Sequence, residues 1–376
     1  MESLEVSNKP KIKYNDIVDI EKIMDVYHHI KLNIRKKQKI LKFEFFQTAN
    51  IITIYTILKE KRYTHGKYNI FLIIKPKSRI IMSEKLSDKI INHVISKYVL
   101  NPAISPRLID TNVATRKNKG TSKAVYYIKK YINSLKVNND KIYALKCDVY
   151  KFFYCIDHEI LLKKLSNIIE DKDLMNMLTT IIESTDREYI NEEINKIITR
   201  QKQYIKNLKI SNREKELKYL ELDRLPLYQK GKGLPIGNMS SQIMAIFYLN
   251  DLDHYIKEKL HIKHYVRYMD DLVLFHPDRE YLKYCLVKIK ERLSLEKLKL
   301  NNKTQIYELH QGLSYLGYKF ILKDKKLYTL ISTKTKARIK KNLKRQKLNI
   351  TQYQNKKLSY KGFYINTDSC NFWYKL

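Results

Sequence analysis

The sequence predicts an α+β protein organised around an antiparallel sheet. Three observations predict it. Stretches such as "IVDIEKIMDVYHHIKL" and "NIITIYTILKEK" place apolar residues at mixed three- and four-residue spacing, the period of a helix with one buried face. Short β-branched and aromatic runs, "YNIFLIIKPKSRIIM", "KIYALKCDV" and "YVRYMDDLVLF", read as strands or hairpins. The last of these sets Asp270 and Asp271 side by side between two apolar arms, at a tight turn. Such a pair is costly to bury. It suits either a solvated surface turn or a point where cations cancel the repulsion.

The elements follow in order. Residues 15 to 62 are expected to be helical. "KPKS" is the turn of a basic hairpin, and "LSDKIINHVISKYVL" is a helix with Ser87 as its N-cap. In "RLIDTNVATRKNKGTSKAVYYIKKYINSL" a basic, Gly-containing loop leads into an amphipathic helix capped by Thr121 or Ser122. The positive end of that helix adds to Arg116, Lys117 and Lys119 in attracting phosphate. A strand ends at Asp148, and a helix starts at "DHEILLKKL". Residues 183 to 228 are highly charged, with helical period but little core, and read as an exposed helical insertion. The Gly/Pro loop "GKGLPIGNMSSQ" precedes a long apolar helix, "IMAIFYLNDLDHYIKEKL". After the Asp-Asp hairpin come the amphipathic helix "EYLKYCLVKIKERLSLEKL", a strand-turn-strand in "LKLNNKTQIYEL", a strand in "LSYLGYKFIL", and a strongly basic helix from about residue 333.

The 376 residues are enough for two or three subdomains. With 74 Lys+Arg against 39 Asp+Glu, the net charge of +35 is far more than solubility needs. Spread along the chain, it implies a polyanionic partner, nucleic acid rather than lipid. Cys147, Cys155, Cys285 and Cys370 form no C-x-x-C pair, which argues against a zinc site or a disulfide framework. No run approaches a membrane span, and the start lacks a signal-peptide core. Reduced cytosol is the expected compartment.

Asp148 supplies a third carboxylate. If its strand pairs with the Asp-Asp hairpin in one sheet, Asp148, Asp270 and Asp271 converge at one edge of a palm-like platform. That suits two divalent cations about 4 Å apart, one activating a 3′-hydroxyl and one holding a triphosphate. Mg²⁺, with Mn²⁺ as the alternative, takes a few carboxylates plus waters and substrate phosphates; the Val149 carbonyl is a further ligand.

The blocks "CDVYKFFYCID", "GLPIGNMSSQ", "YMDD", "LNNKT" and "LSYLGYKF", in this order, resemble those of reverse transcriptases, particularly the bacterial group II-intron-like branch. The resemblance implies a right-hand polymerase: an N-terminal helical extension (1–62), fingers (63–140), a palm of antiparallel sheet and helices (141–320) with the insertion at about 183–228, and a short helical basic thumb with the tail (321–376). It implies RNA-directed DNA synthesis from dNTPs, with metal on Asp148, Asp270 and Asp271. Phe153 matches the aromatic gate against a ribose 2′-OH, or else is a core residue. Lys75 and Arg79 match residues that grip the triphosphate. Lys303 matches the general acid toward pyrophosphate. Gly317 lies in the primer-grip block, and the helix carrying Lys334, Lys336, Arg338, Lys340, Lys341, Lys344 and Arg345 would follow the template-primer duplex.

One position departs from the family pattern. Many relatives have Gln where this chain has Ile236, before Gly237, a form that resembles diversity-generating and antiphage-defence or abortive-infection reverse transcriptases. Relaxed fidelity or unusual template use would follow, since Ile makes no hydrogen bond near the nascent pair; a substitution without consequence is the alternative. No HNH-like cluster, zinc ribbon or ribonuclease H set is recognisable, so self-sufficient intron mobility is not expected. The expected template is a dedicated noncoding RNA, the product cDNA, and the role antiphage defence, with diversity generation as the alternative. A second copy of the chain or an accessory protein is a further partner. A different class, a non-catalytic RNA-binding scaffold, would leave three converging carboxylates without a use.

Overall fold

The computed structural model describes residues 12–33, 37–344 and 349–369. The chain folds as two units, each assembled from separate stretches: Met1–Leu108 with Lys151–Asn250 and Glu296–Leu298, and Ile109–Tyr150 with Asp251–Leu295 and Lys299–Leu376. Among the described residues no helix is long and apolar enough to cross a membrane.

The first unit is mainly helical. Helices Ile20–Asn33 and Gln47–Lys59 bury Ile23, Tyr27 and Ile30, and Ile51, Ile54 and Leu58, the three-and-four spacing of an apolar stripe. The basic hairpin forms as expected from β1 (Asn69–Ile73) and β2 (Arg79–Ser83), antiparallel with Ile73 opposite Arg79. On β2 the alternate residues Ile80 and Met82 are buried, together with Tyr68, Ile190, Ile194 and Tyr228. This corrects the expectation for the charged stretch. Its helix Glu188–Lys206 carries a buried Ile190/Ile194 stripe against β1, because two apolar residues four apart share one face whatever charges surround them. The next helix, Asn212–Asp223, is tied to the hairpin turn where Ser78 N donates to Glu221 Oε1 at 3.0 Å. Ser87 is not a cap, since the helix Leu86–Ile95 starts one residue before it. The apolar helix after the Gly/Pro loop starts earlier than expected, at Met239, and forms in three pieces, Met239–Tyr248, Asn250–His254 and a π-helical Tyr255–Lys259.

The second unit holds two antiparallel sheets. In the larger, β3 (Tyr143–Asp148), β4 (Tyr265–Tyr268), β5 (Asp271–His276) and β6 (Gln305–Glu308) are ordered β4-β5-β3-β6. Val266, Val273, Phe275 and Ala144 point into a core shared with Val125, Ile128 and Ile132 of helix Thr121–Leu135. Neither Thr121 nor Ser122 caps that helix: Gly120 occupies the position, at φ 105°, and makes no side-chain bond. The run "LSYLGYKFIL" is two strands, β7 (Leu313–Tyr315) and β8 (Tyr318–Lys323), with β9 (Lys326–Ile331) completing a sheet ordered β7-β8-β9. The chain reverses at Leu316 and Gly317, both at positive φ (47° and 89°), a turn that an apolar Leu conceals in the sequence.

Candidate active site

The strand register decides where the acidic residues fall. β3 pairs antiparallel with β5, so Asp148, the last residue of β3, stands directly opposite Asp271, the first of β5. Asp270 precedes it in the β4–β5 turn. Cys147, Leu272, Val273 and Leu274 beside this point are fully buried, so the two acids stand where the buried part of the sheet ends, with the part-exposed Lys146 near them on β3.

Three consecutive carbonyls of the turn are each held by a different element. Met269 O accepts from Arg267 Nη1 at 2.8 Å. Asp270 O accepts from Val149 N at 3.4 Å. Asp271 O accepts from the Tyr315 hydroxyl at 2.9 Å. Asp148 is held from the other side: Asn301 N donates to its carbonyl at 2.7 Å, and Asn301 Nδ2 donates to Oδ2 at 3.0 Å. Asn301 Oδ1 in turn accepts from Lys303 N at 3.2 Å, which sets the course of the loop bearing the exposed Lys303.

Burial pushes the Asp271 carboxyl up to about 6; the neighbouring Asp148 charge adds to the rise and Lys146 opposes it. A cation placed between the two acids would relieve both causes. Among the described residues, no three His, Cys, Asp or Glu side chains stand together closely enough to hold a metal ion. The Asp148–Asp271 pair fits Mg²⁺ in the way that ion is commonly held, by one or two carboxylates with the shell completed by waters and substrate phosphates.

Other candidate residues of this unit lie on a loop, a turn and a helix. Arg116 Nη1 donates to Ile109 O and Asn112 O at 2.8 and 3.0 Å, and Lys119 Nζ to Asp110 O at 3.0 Å, so these two cations shape their own loop, while Lys117 is exposed. Gly317 is required: a Cβ would lie 3.1 Å from Phe363 Cε1 and Thr335 Oγ1, at a φ that disfavours other residues. The basic helix spans Thr333–Lys344; it buries Thr335, Ile339 and Leu343 and exposes Lys334, Arg338, Lys340 and Lys341, with Lys336 partly covered. Arg345 lies outside the described residues, as does the side chain of Lys344.

The nucleotide candidates belong to the first unit. Lys75 and Arg79 are exposed on the β1–β2 hairpin. Phe152 is the buried member of the Phe pair, at 2% exposure, whereas Phe153 is only partly buried. Phe153 O accepts from Leu234 N at 2.7 Å, which fixes the Phe backbone to the "GLPIG" loop. Ile236 O accepts from Met82 N at 2.9 Å. Gly237 follows at φ 146°, where a Cβ would come 2.4 Å from Met82 O, so only Gly permits this approach.

Asn301, Tyr315, Arg267 and Asp253 are not marked as site residues by the sequence. Asn301 and Tyr315 lie within quoted blocks, but nothing in their spacing shows that they serve the acids. The Asp253–Arg267 pair carries no local signal at all.

A family model described as reverse transcriptase (RNA-dependent DNA polymerase) matches residues 57–320, a span that contains β1 to β7 and all three acids. No curated protein matches the chain. The match brings the fingers-and-palm polymerase fold, in keeping with the mixed helices and antiparallel sheets described above. It also implies an RNA template and dNTP substrates. The chain therefore belongs to the reverse transcriptase family and is an RNA-directed DNA polymerase.

Proposed function

We propose that Asp148, Asp270 and Asp271, with the Val149 carbonyl, hold the divalent cations, Mg²⁺ or Mn²⁺, with which this polymerase extends a cDNA strand. Cations bound there would promote ionisation of the primer 3′-hydroxyl and neutralise charge on the triphosphate. The observation that carries this reading is the cross-strand pairing of Asp148 with Asp271, with Asp270 the next residue back in the chain. The protein's own groups supply the rest. Lys303 donates a proton to the departing pyrophosphate. Lys75 and Arg79 bind the triphosphate, and Ile236 and Gly237 border the nascent base pair. Phe153 excludes a 2′-hydroxyl sterically. Replacing Phe153 with Ala raises ribonucleotide use relative to dNTPs by about tenfold or more. Incorporation assays with matched rNTP and dNTP series measure this, and an unchanged ratio in a folded variant makes Phe153 a packing residue.

The thumb assignment rests on the basic helix Thr333–Lys344, which sits directly after β9 and is cationic on its exposed face. Reversing Lys340, Lys341 and Lys344 to Glu lowers the log-log salt slope of RNA affinity by roughly one to two units. Dissociation constants across a salt series check it; an unchanged slope turns that face to water.

For the template we favour a dedicated noncoding RNA, and for the role antiphage defence. Ile236 in the loop next to β2 and the helical insertion tied to the hairpin turn support a specialised enzyme. Sequencing the nucleic acid that copurifies tests this. One recurrent noncoding RNA with its cDNA is expected; cDNA copied from a protein-coding repeat would favour diversity generation instead.

A further inference from the structure

Next to the acidic turn lies a charged pair that the chemistry above does not use. Asp253, on the short helix Asn250–His254, and Arg267, on β4, both have fully buried side chains. Asp253 Oδ1 accepts from Arg267 Nε and the Tyr265 hydroxyl, each at 2.7 Å. Its Oδ2 accepts from Arg267 Nη2 at 2.5 Å and from Asn112 Nδ2 at 3.5 Å. A buried ion pair generally stabilises a fold no better than apolar residues of the same volume, so stability alone does not account for it.

The guanidinium has a further arm. Nε and Nη2 face the carboxylate, and Nη1 turns toward the Met269 carbonyl, 2.8 Å away. Met269 is the residue before the two acids, and its φ is 57°, a left-handed conformation that a non-Gly residue keeps only when its surroundings hold it. The Arg267 backbone is fixed as well: its N donates to Thr111 O at 3.1 Å and its O accepts from Val113 N at 3.0 Å.

We propose that Arg267 is a positioning residue for polymerisation: clamped by Asp253, it fixes the Met269 carbonyl and thereby the direction in which Asp270 and Asp271 leave the turn. This rests on the reading of those acids as the metal-binding set. A planar guanidinium suits the task because its three nitrogens form a rigid fork that bonds two oxygens of one partner and reaches a third group on its other side, whereas an ammonium carries its three donors on one atom and does not span that distance.

The test uses the full chain and the paired variant Asp253→Leu/Arg267→Met, which removes both charges together. It is expected to fold, with kcat for dNTP incorporation down about ten- to a hundredfold, the penalty of a slightly misplaced group, and with the dNTP KM within about threefold. A readout independent of catalysis accompanies it. In metal-free protein, amide exchange at residues 269–272 quickens by about tenfold while β3 keeps its protection. A folded paired variant with wild-type kcat and wild-type exchange at the turn overturns the proposal. If the paired variant does not fold, Arg267→Lys decides: it keeps a charge beside Asp253, and the same losses are expected, so wild-type values overturn the proposal. Asp271→Asn is assayed in parallel. If that variant still polymerises, the reading of the acids fails, and turn exchange alone judges Arg267.

Discussion

Asp271→Asn abolishes dNTP incorporation, by on the order of 10³-fold or more, and at the same time raises the melting temperature of the metal-free protein at pH 8. Asn keeps the shape of the side chain but removes the charge that a cation needs, while the basic surface that binds RNA is untouched, so RNA affinity changes little. The stability gain follows from the raised carboxyl. Its folded pKa, about 6, lies above the unfolded value near 3.9. The folded state therefore holds the proton more tightly; the associated stability is full below pH 4, is lost between about pH 4 and 6, and stays absent above that. Asn evades the loss. The gain at pH 8 is at most about 3 kcal/mol, and it vanishes at pH 4. Divalent cation should stabilise the wild type and not the variant, by mass action on the folded state. Melting curves at the two pH values, with and without Mg²⁺, check this together with primer extension; substantial extension by the variant removes the metal assignment.

Asp253→Leu alone destabilises by roughly 3–5 kcal/mol, because it leaves a buried guanidinium uncompensated. Arg267 has no route to neutrality, since its group does not deprotonate in proteins, and its side chain is fully buried. Tyr265 and Asn112 lose a partner as well. The melting temperature drops by about 4–6 °C. Adding Arg267→Met recovers most of that stability without recovering kcat. Thermal melts followed by circular dichroism check the stability arm, and a drop below about 2 °C would mean that water reaches the guanidinium.

The acids were legible because their setting is local. An apolar strand ending in Asp and a β-rich run interrupted by Asp-Asp stand out in any window, whereas that the two pair, and in which register, is seen only in the structure. What supports them was not legible. Arg267 and Asp253 are fourteen residues apart, on a strand and a helix, and either charge read alone is a surface residue. Asn301 depends on a loop returning to the end of β3. The hairpin at Leu316–Gly317 was missed because hydrophobicity runs through the turn and only the backbone angles reveal it. The insertion was misjudged for the opposite reason: abundant charge masked the Ile190/Ile194 face that packs on the hairpin.

The strand order β4-β5-β3-β6 also constrains how the protein is made. β3 is interior to its sheet, yet both of its neighbours come from much later in the chain, β5 starting at Asp271 and β6 at Gln305. During synthesis β3 leaves the ribosome with neither edge paired and stays so while more than a hundred residues are added, on the order of ten seconds at typical elongation rates. Pairing over such a separation carries a large loop-closure cost and is slow to form. A ribosome that stalls before the β4–β5 hairpin releases a chain with an apolar strand open to aggregation and Asp148 without its cross-strand partner, so the pairing of the two acids and the first cover for that strand arrive together, when β5 docks.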